Sequence, residues 1–86
     1  MPEISRFYGI IIKMYFLDHN PPHFHAEYQG LVAEFNIHTL EIIAGTLPGR
    51  AKSLVLEWAS NHQDELLTNW QKARIQEPLI TIAPLN

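Results

Sequence analysis

HFHAEYQGLVAEFNI, residues 23–37, reads as two strands joined by a two-residue turn. Glycine in the second turn position takes the positive φ that a type I′ hairpin needs, so Gln29-Gly30 is the predicted connection. That turn sets Phe24 opposite Phe35, His25 opposite Glu34 and Ala26 opposite Ala33. Side chains alternate along a strand, so one face collects Phe24, Ala26, Tyr28, Leu31, Ala33, Phe35 and Ile37. The other collects His23, His25, Glu27, Glu34 and Asn36. A one-residue slip would scramble this sorting, so the sorting itself supports the register.

Working outward, the β-branched and aromatic run IIIKMYF, residues 10–16, suits a buried strand. Ile10, Ile12, Met14 and Phe16 would face the core, with Lys13 and Tyr15 on the other side. On the far side of the hairpin, a tight turn at His38-Thr39 would bring Ile42 opposite Phe35 and add Leu40, Ile42 and Ala44 to the apolar face. The expectation is an antiparallel meander of about four strands, roughly residues 9–17, 23–29, 31–37 and 40–45.

The second half changes period. TLPGRAKSLVLEWASNHQDELLTNWQKAR, residues 46–74, places Ala51, Leu54, Val55, Trp58, His62, Leu66, Trp70 and Ala73 at helical spacing. Pro48 and Gly49 punctuate its start, and Lys72 and Arg74 suit the negative end of the dipole. Asn61 or Asp64 could break it, but the period predicts one long helix over roughly 49–75, covering the sheet's apolar face with Trp58 and Trp70. The tail PLITIAPL, residues 78–85, is β-prone between two prolines and could serve as an edge strand or as an arm toward a partner. The fold class is α+β, in one domain over residues 1–86.

Composition narrows the function classes. The chain has no cysteine, which excludes disulfides, zinc ribbons and thiol catalysis and favours an intracellular, cytoplasmic protein. The apolar run at 10–16 is short and interrupted by Lys13, too little for a signal segment or a membrane span. Six basic side chains form no stripe and the net charge is −3, so nucleic acid enters only as a target gripped locally. There is no glycine-rich phosphate loop, no H-E-x-x-H and no G-x-S-x-G.

What remains is HNPPHFHAEY, residues 19–28, with three of the five histidines. Pro21 and Pro22 stiffen the approach to the strand. His23 and His25 leave the same strand face, about 7 Å apart at Cα. Such a pair could share a divalent metal such as zinc, with Glu27 or Glu34 as a carboxylate. It could equally act as an acid–base pair, since imidazole titrates near neutrality. The plainer alternative is solvent-facing decoration, His25 simply pairing across the strands with Glu34. Asp18 and His19, in the preceding loop, could approach the same end of the sheet. His62, on the apolar helix stripe, reads as a hydrogen-bonded packing residue, and His38 as a turn residue.

MPEISRFYGIIIKMYFLDHNPPHFHAEYQG (1–30) and TLEIIAGTLPGRAKSLVLEWASNHQDELLTNW (39–70) together resemble the bacterial domain-of-unknown-function family numbered 4160. The positions carrying the resemblance are Arg6, Tyr8 and Gly9, then Asp18 to His25, then Trp58, His62 and Trp70. Genes of that family often lie beside a second small family, numbered 2442, so the resemblance implies a two-gene module of toxin–antitoxin type with this chain as the toxin-like component. It carries over no catalytic residues. It also implies a cognate antitoxin-like partner, and a homodimer is compatible with it. Three expectations follow: a toxin-like component acting through His23, His25, Glu27, Glu34, Asp18 and His19; a non-enzymatic interaction or regulatory module; or a small metal-binding domain using His23 and His25. Whether the chain is an enzyme is left open by the residues alone.

Overall fold

The computed structural model describes residues 2–86. Its sheet has five antiparallel strands in sequential order: β1 (Glu3–Phe7), β2 (Ile10–Lys13), β3 (His23–Tyr28), β4 (Leu31–Asn36) and β5 (Ile42–Gly45). Helices α1 (Gly49–Ser60) and α2 (Gln63–Arg74) follow. The central hairpin has the expected register, with Phe24 opposite Phe35, His25 opposite Glu34 and Ala26 opposite Ala33. Gln29 and Gly30 both take positive φ, 49° and 81°, as a type I′ turn requires.

Four strands become five because Tyr8 and Gly9 make a second turn of the same kind, with φ of 50° and 79°. The expected strand at 9–17 is shortened to β2 and gains β1 as its partner. Past Lys13 the chain leaves the sheet at Leu17, which has φ 57°, and Phe16 lies exposed rather than in the core. At the other edge Phe35 does face Ile42, but the register shifts between Glu34 and Phe35. Ala44 therefore pairs with Glu34 on the polar face and is exposed, instead of joining the apolar one.

The single helix at 49–75 is corrected to two. Ser60 Oγ and Asn61 Nδ2 both donate to the Glu57 carbonyl, taking up an acceptor of the last turn. His62 then departs from helical geometry, and Asp64 and Glu65 favour a fresh N-terminus. Core residues from both layers are buried together, including Ile10, Ile12, Phe24, Phe35, Trp58, Leu66 and Trp70. Trp58 packs its ring on Phe7 and Phe24 at centroid distances of 5.3 and 5.9 Å.

The tail forms no strand. It is an extended strap fastened to its own fold: Ile82 N–H donates to the Ile4 carbonyl, Trp58 Nε1–H to the Ala83 carbonyl. Buried Asn69 donates to the Ile80 carbonyl and accepts from the Ile80 N–H. Among the described residues no helix is long and apolar enough to cross a membrane.

Candidate functional site

The polar sheet face becomes a site where β3 meets the loop before it. His23 and His25, two apart on β3, project to one side, and register places Lys13, Glu34 and Ala44 in the row through His25. The loop from Met14 to Pro22 folds over this end of the sheet. The Leu17 N–H donates to the Ala73 carbonyl in the last turn of α2, which anchors the loop and delivers Asp18.

His23 does not face solvent. Its side chain is 1% exposed, and its ring lies 5.3 Å from that of Trp70 and 5.2 Å from that of His25. Nδ1 sits 2.7 Å from the Pro21 carbonyl oxygen, which can only accept, so Nδ1 carries the proton. Nε2 is thereby turned toward Asp18 Oδ2 at 3.0 Å and Glu34 Oε1 at 3.5 Å. Distance alone would allow a bond to Asp18, but the ring direction does not, and Nε2 has no hydrogen-bond partner among the described residues.

His25 repeats the pattern in weaker form. Its Nε2 is 3.7 Å from Glu34 Oε2, its Nδ1 is buried without a hydrogen bond, and Tyr15 meets the ring edge-on at 4.6 Å. Burial lowers its pKa below the ordinary histidine value; the nearby Glu34 carboxylate opposes that shift without cancelling it. One ligand-capable atom from each of Asp18, His23 and His25 falls within 4.8 Å of the others.

The six site residues read from the sequence separate clearly. Asp18, His23, His25 and Glu34 converge. His19 stands at the rim, 87% exposed, with its ring 6.0 Å from that of His23. Its backbone N–H holds Asp18 Oδ1 at 2.9 Å, leaving Oδ2 to face His23. Glu27 is taken out of the cluster by Lys13, whose ammonium it meets at 3.0 Å and whose pKa it raises. Tyr15, Trp70 and the Pro21 carbonyl also shape the site. Strand alternation already put Tyr15 on the polar side; nothing local in the sequence pairs Trp70 with His23, because their contact spans two layers.

His62 stands at the N-cap position of α2, its Nδ1 against Glu65 and its ring 5.4 Å from that of Trp58. The family model described as "Domain of unknown function (DUF4160)" matches residues 9–71, more than half of the chain and the whole of this cluster. Among curated proteins and solved structures, none matches the chain.

Proposed function

The chain belongs to the DUF4160 family, and on that premise we propose that it is the effector, toxin-like component of a two-gene module, with its chemistry at Asp18, His23, His25 and Glu34. One atom carries the reading: His23 Nε2, inside the fold, faces two carboxylates and makes no hydrogen bond. Leaving a buried polar atom unpaired costs about 1–3 kcal/mol. An apolar side chain packed against Trp70 would avoid that cost, so the nitrogen is kept for something it meets. Two imidazoles flanked by carboxylates can take a proton from a nucleophile and return one to a leaving group, which makes hydrolytic chemistry the natural class.

The partner belongs to the same reading. Beside the cluster, on the sheet face that the helices leave free, Val32 is 44% exposed and His25 and Glu34 are partly exposed. A cognate antitoxin-like protein lying there would bury apolar surface and cover the partly exposed Asp18, His25 and Glu34, closing the way to His23. The same surface favours a second reading, an interaction or regulatory module with no chemistry of its own.

Induced expression in a bacterial host separates them. Wild type should arrest growth, and His25→Ala and Asp18→Asn, at matched soluble expression, should relieve the arrest; RNA integrity is then the first target to follow. Arrest undiminished by either variant would overturn the site. No arrest by soluble wild type would overturn the effector reading and leave the interaction module.

A further inference from the structure

We propose that Asp18, His23 and His25 form a two-histidine, one-carboxylate centre for a divalent cation of the zinc class. This rests on the reading above and revises it in one respect: with the imidazoles as ligands, the proton-transfer role passes to Glu34.

The first support is spacing. Zinc bonds of about 2.0–2.2 Å, at angles from about 90° to tetrahedral, put neighbouring ligand atoms about 2.9–3.5 Å apart. His23 Nε2 and Asp18 Oδ2 stand 3.0 Å apart without the direction of a hydrogen bond, the separation of two atoms that share an ion. Ligand atoms from all three residues lie within 4.8 Å of one another, so the widest pair closes by about an ångström when an ion is shared.

The second support is the unpaired nitrogen. His23 is buried, its Nδ1–H is given to the Pro21 carbonyl at 2.7 Å, and its Nε2 is aimed at the carboxylates. A metal-bound histidine commonly spends its other ring nitrogen on a backbone carbonyl or carboxylate in this way, which fixes both tautomer and ring orientation. The Asp18 carboxylate is likewise held from behind, Oδ1 by the His19 N–H and Oδ2 left forward.

The third is rigidity and charge. Two ligands come from one strand and the third from a loop pinned to α2 by the Leu17–Ala73 bond, so His23 and Asp18 already stand at ligand spacing and His25 has only a short distance to close. Asp18 and Glu34 together balance a doubly charged ion, whereas Lys13, the nearest ammonium in the sheet row, is committed to Glu27. Imidazole ligands select zinc, cobalt, nickel, copper or iron over magnesium and calcium. Three protein ligands leave a position for water, as in catalytic rather than structural sites. Glu34, 3.5 Å from His23 Nε2 and 3.7 Å from His25 Nε2, borders that side.

The test uses the full chain without a histidine tag, stripped with a chelator and titrated with zinc alone. Native mass spectrometry should show one ion per chain, and zinc should raise the melting temperature. Asp18→Asn and His25→Ala, both at partly exposed positions and checked for native circular dichroism, should each weaken binding by at least about tenfold and abolish the melting shift. His19→Ala should change it less than threefold. Cobalt should give the absorption bands of a nitrogen- and oxygen-ligated ion in wild type alone. Absence of an ion at one equivalent, or binding equally tight in Asp18→Asn and His25→Ala (an adventitious ion only), would overturn the proposal. Either result is independent of growth: a toxin-like chain without metal would keep its arrest, and a metal-binding chain without toxicity would keep its ion.

Discussion

At the scale of residues, His23 departs furthest from what a sheet surface needs. Alternation put it on the polar face with His25, and that much was legible in H-x-H. Its burial was not, because the covering groups come from the loop and from Trp70, distant in sequence. His23→Phe removes the unpaired Nε2 but also the Nδ1–H bond to the Pro21 carbonyl, two effects of opposite sign and each of about 1–3 kcal/mol. His23→Phe in metal-free protein is therefore expected to stay within about 1 kcal/mol of wild type in chemical denaturation, while losing the function. A loss of about 3 kcal/mol or more would mark His23 as a structural hydrogen-bonding residue instead.

At the scale of elements, the turns were the readable part and their limits were local. Gln29-Gly30 was legible because glycine in its second position fell between two alternating strands. Tyr8-Gly9 has the same chemistry but no such setting, since EISRF alone alternates too weakly to announce β1. The bulge beside Glu34 was hidden for another reason: it depends on Gly45, with φ 76°, lying against the Val32 backbone, where a Cβ would collide with the carbonyl. Gly45→Ala should cost roughly 2–4 kcal/mol from the left-handed backbone and that collision together. A shift below 1 kcal/mol in the denaturation midpoint would contradict the geometry of β5. The strap makes a separate claim. Asn69→Ala removes both bonds to Ile80, so the Ile82 amide, bonded to Ile4, should exchange its hydrogen faster by about tenfold or more. Unchanged protection at Ile82 would mean that the tail is held by its apolar contacts alone.

At the scale of the whole molecule, the two layers divide the work. The helices and strap close one face of the sheet over the core, and the other face is left to present a loop-covered histidine pair. The meander, the helical half and four of the cluster's members could be read from a single sequence, because alternation and helical period report local geometry directly. Which of those members meet could not be, since Glu27 was as good a candidate as Asp18 until Lys13 claimed it. The claim that follows for the molecule is that Asp18, His23 and His25 act as one unit. The histidine-selective long-range proton–nitrogen NMR spectrum, recorded before and after one equivalent of zinc, tests it most directly. The account predicts that the ring nitrogens of His23 and His25 move, with His23 binding through Nε2 and keeping its proton on Nδ1, while His38 and His62 stay in place. Movement at His38 or His62 instead, or no movement at His23, would contradict it.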